Sequence, residues 1–307
     1  MAVFGTNETK VMLPRNIADG MIKETRTLST VAKLSAREPQ RFGETEYITF
    51  NDFPKAEFVE EGAQKASTTG GFGSVKSKPH KAQVTMRFNE EVQWADDEYQ
   101  LGVLSTLASE GGLALSRALD LGVFHGINPL TGTSYAGIAA GDRIGTTTNS
   151  VEITTATLTT PDLVIEQAAG LVIADGYIPS GIAFDPSYAW TVATSRYADG
   201  RKKYPELGFG ANVSSFEGLN AYSTSTVSGL PEAAANSNIK AIVGQWDLLR
   251  WGVQKSIPVE LIKFGDPDGQ GDLKRKNQIA LRLEVVYGWG VMDLDGFSTI
   301  KDAVANV

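Results

Sequence analysis

Residues 61–78 read EGAQKASTTGGFGSVKSK, with four glycines and three lysines in eighteen positions. Glycine beside lysine suggests a loop that cradles phosphate. That chemistry needs the lysine directly after the second glycine, a strand before and a helix after. Here Lys76 comes three residues after Gly73, and KPHKAQVTMRF follows with the alternation of a strand. The spacing favours a flexible tip between two extended segments. DPDGQGD (266–272) sets Asp266, Asp268 and Gln270 at alternate positions with Gly271 at a turn, as calcium loops do. The twelfth position, where a bidentate glutamate closes such a site, is Asn277, so the stretch reads as a polar turn. Asp185, Ser187 and Tyr188 in FDPSYAW stand at a strand-to-helix junction, a place where hydrolases put nucleophiles, but no GxSxG is present. Asp185 as a helix cap and Pro186 at the first helical position account for the same residues.

The inventory narrows the chemistry further. The chain has no cysteine, which excludes disulfides, thiolate metal sites and a thiol nucleophile. Its two histidines, His80 and His125, lie too far apart in sequence for an HExxH zinc motif. No metal or organic cofactor is expected. The formal net charge is −8. The basic cluster GRKKYP (200–205) is too short for a nucleic-acid-reading face. Apolar residues make up 42% and charged residues 21%, which is the balance of a folded globular chain. No apolar run approaches the length of a membrane span, and the first residues lack the pattern of a secretory signal.

The elements that would hold these residues follow from periodicity. Residues 1–42 read as an arm ordered by contact with something else. EYITF (46–50), AEFVEEG (56–62) and HKAQVTMRFNEEVQW (80–94) read as extended segments, with Ala82, Val84, Met86 and Phe88 on one face. They predict a long two-stranded finger around the glycine-rich tip. Asp96 and Asp97 then open a helix in which Leu104, Leu107, Ala108, Gly111, Leu115, Ala118 and Leu119 recur at steps of three and four. It runs to about Phe124, roughly 40 Å, and Gly111-Gly112 offers a bend. Residues 128–252 read as a compact mixed α/β unit, with a helix over 161–176 and a strand over 181–186 leading into another helix. IPVELIKF (257–264) and NQIALRLEVVYGWGVMD (277–293) read as two strands around a polar loop. GFSTIKDAVANV reads as a tail adding a small contact.

The order of these elements resembles the major capsid proteins of tailed bacteriophages, the Hong Kong 97-type fold. FVEEGAQKASTTGGFGSVKSKPHKAQVTMRFNEEVQWADDEY is similar to that family's E-loop running into its spine helix. VFHGINPLTG is similar to the exit from that helix, SGIAFDPSYAW and FEGLNAYSTSTV to steps of the axial domain, and NQIALRLEVVYGWGVMD to the long strand of the peripheral domain. The resemblance implies an α+β fold divided as follows: N-terminal arm 1–42, E-loop β-hairpin and flanking strands 43–93, spine helix of the peripheral domain 94–127, axial domain 128–252, and return strands and tail 253–307. It implies a structural protein, not an enzyme, that builds hexamers and pentamers of an icosahedral head around double-stranded DNA without reading its sequence. Partners implied are copies of itself, a scaffolding protein, a portal and decoration proteins, with no membrane. The place implied is the virion, after assembly in the host bacterial cytoplasm. The finger begins within fifty residues of Met1, which leaves little room for a cleaved N-terminal scaffolding segment and favours a separate scaffold or none.

Some members of that family join subunits through an isopeptide bond. The resemblance assigns Lys65 as the attacking amine, Asn277 as the side-chain amide attacked and Glu284 as the carboxylate that takes the proton. A seven-residue separation along a strand would point Asn277 and Glu284 to opposite faces, so three chains would have to meet. The competing assignments are a solvated loop lysine, a strand-start asparagine and a glutamate paired with an arginine. Two other functions fit parts of the chain: an encapsulin-type bacterial nanocompartment shell, and a soluble hydrolase built on Asp185, Ser187 and a histidine.

Overall fold

The computed structural model of the chain describes residues 29–50, 55–65, 67, 71–94, 97–154, 157, 160–208 and 213–303. A short helix α1 (Thr30–Leu34) precedes strands β1 (Thr45–Phe50) and β2 (Phe72–Asn89). The long helix α2 (Asp97–His125) follows, close to the bounds its spacing predicts. Then come β3 (Ser150–Ile153), α3 (Pro161–Ala174), β4 (Gly181–Phe184), α4 (Pro186–Thr194), β5 (Ser215–Phe216), β6 (Leu219–Ser223), β7 (Ile239–Gly244), β8 (Leu249–Ile262), β9 (Gln278–Val291) and β10 (Phe297–Asp302).

Four strands form an antiparallel sheet in the order β1-β2-β9-β8. Its alternation decides which face is covered. Ala82, Val84, Met86 and Phe88 of β2 join Leu281, Leu283, Val285, Tyr287 and Trp289 of β9 in the core beneath α2. Two glycines of α2 let the sheet come close. A Cβ on Gly111 would stand 2.9 Å from Leu283, and one on Gly122 would stand 2.9 Å from Trp289. Tyr287 donates its hydroxyl to the Leu115 carbonyl at 3.1 Å, fixing the helix along the strand.

The other face of this sheet carries a strap, residues 35–43. Ser35 Oγ donates to the Leu249 carbonyl at 2.8 Å, Glu38 N to the Trp251 carbonyl at 2.9 Å, and Ser77 Oγ to Gln40 Oε1 at 3.0 Å. The strap crosses Gly252 and Gly288, where any Cβ would run into the Glu38 carbonyl or the Gln40 side chain. Neither glycine has a positive φ, so close approach is what requires it there. Gly252→Val should therefore lift the strap and lower stability by about 1–3 kcal/mol. A thermal melt superimposable on the wild type would contradict this.

The second sheet has six strands in the order β3-β10-β7-β4-β6-β5, mixed in direction. Alternate residues of its central strands feed two cores. Ile182, Phe184, Ala241, Val243 and Ile300 face α3 and α4, meeting Val164, Ala168, Tyr188 and Val192. Ala183, Ile242 and Phe297 face the other way and join the core around Leu119 and Phe124 of α2. Trp246 sits there fully buried, edge-on to Phe124 and Phe297 at 6.1 and 5.7 Å between ring centroids.

Two expectations change. Residues 56–62 are not a strand; among the described residues β2 pairs instead with β1, from Thr45↔Ser77 to Phe50↔Phe72. The stretch read as a tail is β10, a central strand held between β3 and β7. Residues 1–28 of the arm and positions 68–70 of the finger tip lie outside the described residues.

Candidate functional site

Glu284 lies in mid-strand on β9, between Gln83 of β2 and Ile257 of β8. The odd-numbered neighbours on β9 face α2, so Glu284 points away from the helix. Its carboxylate is only 14% exposed and meets Lys81 Nζ at 2.9 Å. The partner is thus a lysine of the same chain, two residues from Gln83 along the neighbouring strand. No feature of the sequence pattern marks that pair, because it depends on the register of two strands far apart in the chain.

Asn277 caps a single 3-10 turn, Lys274–Lys276, with φ 51° and ψ 46°. Asparagine is among the few residues that adopt this left-handed conformation readily, so the backbone alone gives a reason for its type. Its carbonyl accepts from Glu90 N at 2.8 Å, and its side chain lies on the surface. The pleat begins one residue later, at Gln278, so strand parity does not relate Asn277 to Glu284. Length does: six strand steps place Glu284 about 20 Å from the turn. One Lys65 cannot reach both residues of a single chain.

Lys65 ends the described stretch 55–65, every residue of which is exposed. Among the described residues no hydrogen bond or ion pair links it to Asn277 or Glu284. The topology explains why. Phe72, at the finger end of β2, pairs with Phe50, while Asn89, at the far end, pairs with Gln278 beside Asn277. Seventeen strand steps, roughly 55 Å, separate these ends.

The loop resembling a calcium site holds a guanidinium. Arg87 Nε donates to Asp268 at 2.8 Å, and its Nη2 donates to Asp266 Oδ1 and the Gly271 carbonyl, each at 2.9 Å. Arg282 Nη2 donates to the Pro267 carbonyl at 2.7 Å. Two arginines on neighbouring strands therefore pin the loop over the open face of the first sheet. An arginine inside an alternating strand, as in TMRFN, was the available signal. Hydrogen bonding from Arg87 holds the Asp268 carboxyl down at about 2. A depressed folded value stabilises above the ordinary aspartate range and is lost as pH falls through the folded value. Pepsin should therefore leave the loop intact at pH near 4 and cut it at pH near 2. Arg87→Ala should be cut at both; equal cutting of the wild type at both would contradict the clamp.

Asp120 is a second cluster that sequence reasoning missed. It stands fully buried on α2 and accepts from Ser29 Oγ at 2.5 Å, Thr30 N at 2.9 Å, Val31 N at 3.1 Å and Thr226 Oγ1 at 3.0 Å. It thereby ties α1, the first described element of the chain, to the long helix. A lone carboxylate among apolar residues in RALDLGVF was the visible trace.

The hydrolase constellation does not form. Asp185 accepts from Ser187 N at 2.9 Å and caps α4, as its position predicts. His125 instead hydrogen-bonds the carbonyls of Thr226 and Val227 at 3.1 and 3.0 Å, and burial pushes its pKa down. His80 packs on Trp289, 4.2 Å between ring centroids. Neither histidine meets Ser187. No helix among the described residues is long and apolar enough to cross a membrane, and no group of three metal-ligating side chains occurs among them.

The architecture is two sheets, one long helix, a strap across the first sheet and an outlying β1–β2 ribbon. No protein-family model and no curated protein matches the sequence. Solved structures do. One from Mycobacterium phage Ogopogo is 50% identical, with TM-score 0.82 over 90% of this chain and 92% of that one. One from Gordonia phage Cozz is 30% identical, with TM-score 0.78 over 90% and 87%. The capsid of an empty GTA particle, 16% identical, shares the fold with TM-score 0.61 over 90% of each chain. The chain belongs to the phage major capsid proteins.

Proposed function

We propose that copies of this chain assemble into the hexamers and pentamers of an icosahedral phage head that encloses double-stranded DNA. The observation that carries this reading is the finger. The β1–β2 ribbon leaves the first sheet with Ile48 72% and Phe72 71% exposed, and the segment beyond it carries a fully exposed Phe58. A two-stranded ribbon with open apolar side chains is marginal alone and is stabilised by another surface. In this reading residues 1–42 are the N-terminal arm, 43–93 the E-loop, 94–127 the spine helix, 128–252 the axial domain and 253–307 the return of the peripheral domain. Scaffolding, portal and decoration proteins would be further partners, and assembly would take place in the host cytoplasm. The net charge of −8 suits a wall that must not hold DNA during packing.

The same reading includes a cross-link. The unprotonated Lys65 amine attacks the side-chain amide carbon of Asn277 on a second copy. The Nζ–C bond forms, the amide C–N bond breaks and ammonia leaves, with Glu284 of a third copy relaying the proton. The roughly 55 Å between the ends of β2 supports an intermolecular reaction.

Sedimentation velocity of the purified chain tests the shell. A fast, homogeneous species of shell size is expected. A chain that stays monomeric, alone and with its scaffold, would contradict the proposal.

A further inference from the structure

Among the described residues, Lys81 is the cation within ion-pair reach of Glu284: its Nζ lies 2.9 Å from Oε1. Register sets this contact. Gln83 of β2 stands opposite Glu284, and Lys81 is the next residue on the same face. The other charges on that face have different partners or lie further along. Arg282 of β9 donates to Thr85 Oγ1 at 3.2 Å and to the Pro267 carbonyl at 2.7 Å. Arg87 of β2 holds Asp266 and Asp268. Lys255 and Glu260 of β8 stand opposite Val286 and Arg282, two residues along β9 on either side of Glu284. The ion pair is uneven, with Glu284 14% and Lys81 54% exposed. The carboxylate therefore leans on the ammonium more than on water.

That pairing bears on the amine of the cross-link. Attack on the Asn277 amide needs Lys65 as a free amine, with a lone pair to give. A carboxylate without a partner and with little water would hold Lys65 as its ammonium, which cannot attack. With the Lys81 ammonium already on Glu284 the pair is neutral, and a second ammonium beside it is repelled. A neutral amine can still donate a hydrogen bond there, because a carboxylate accepts more than one donor. No other reactant is needed. Nζ gives its lone pair to the amide carbon, its proton passes by way of Glu284 to the amide nitrogen, the C–N bond breaks and ammonia leaves. We propose that Lys81 is a positioning residue of the cross-link: its ammonium fixes the Glu284 carboxylate and keeps the Lys65 amine of another copy uncharged. This rests on the cross-link reading and deepens it.

The rate of ladder formation in assembled shells, followed on denaturing gels across pH, tests this role. Lys81→Met keeps an apolar stem and removes the charge. It should assemble as the wild type does, slow the ladder about ten-fold at about pH 7 and move the pH profile up by about one unit. Lys81→Arg keeps the charge and should restore rate and profile to within about two-fold of the wild type. Lys81→Gln, polar and uncharged, should behave as Lys81→Met does, and it keeps the test open if methionine on this face alters assembly. Wild-type rates in the uncharged variants overturn the role. Slowing by the same factor at every pH also overturns it, and leaves a structural contact only. A ladder that survives Lys65→Ala and is lost in Lys81→Met makes Lys81 the attacking amine, which overturns it too. Wild-type shells with no ladder overturn the cross-link and this role with it. A wild-type chain that forms no shells overturns the shell reading itself.

Discussion

Shells built from Lys65→Ala chains should run on a denaturing gel as a single monomer band, where the wild type gives a ladder of linked multimers. Lysine is the only side chain of the three that supplies the nucleophile, and alanine offers nothing in its place, so the loss is complete. Asn277→Asp should have the same effect, since a carboxylate is a poor acceptor for an amine and has no ammonia to release. The aspartate also tolerates the left-handed conformation at φ 51° better than most residues, so the turn should survive. Particle assembly should persist in both variants, because the bond joins subunits that are already in place. A wild-type gel with only the monomer band would remove the cross-link. A ladder that survives Lys65→Ala would assign it to another lysine.

Asp120→Ala should be the most damaging single change in the fold. It leaves two backbone N–H groups and two hydroxyls in the dry interior without their acceptor. At about 1–3 kcal/mol for each unsatisfied group, and with the hydroxyls free to turn, a loss of about 3–5 kcal/mol follows. The damage should be local at first. Amide exchange at Thr30 and Val31 should accelerate before the sheets open, since these residues hold α1 on the long helix. Burial also sets the pH dependence. It pushes the Asp120 carboxyl up, against the hydrogen bonds from Ser29, Thr30, Val31 and Thr226. A raised folded value means the docked state takes up its proton more readily than the released state does. The clasp is therefore tightest below about pH 4, the ordinary aspartate range, and weakens as pH rises through the folded value. Protection at Thr30 that is independent of pH, or unaltered in Asp120→Ala, would contradict this role.

These two cases show what could be read from the chain and what could not. Local periodicity carries a long way: the three-and-four spacing after Asp97 marks α2 almost to the residue, and the alternation of Ala82, Val84, Met86 and Phe88 gives the buried face of β2. The same rule misleads at 56–62, where the apolar pair Phe58 and Val59 is exposed, with no strand beside it among the described residues. It is silent on β10, a six-residue strand whose place depends on partners about 60 and 150 residues earlier. Side-chain pairs across such distances are equally hidden. Arg87 finds Asp268 across 181 positions, and Asp120 finds Thr30 across 90. Asn277 shows a subtler limit. Strand parity placed it on a face, but its left-handed backbone stands outside the pleat, so only length along β9 relates it to Glu284.

The most direct measurement is an electron cryomicroscopy reconstruction of particles formed by this chain. It should show closed icosahedral shells in which each β1–β2 ribbon lies over an adjacent copy, with Lys65 of one copy beside Asn277 of another. Particles in which the ribbon folds back on its own chain, or a preparation with no closed particles, would contradict the capsid-subunit reading.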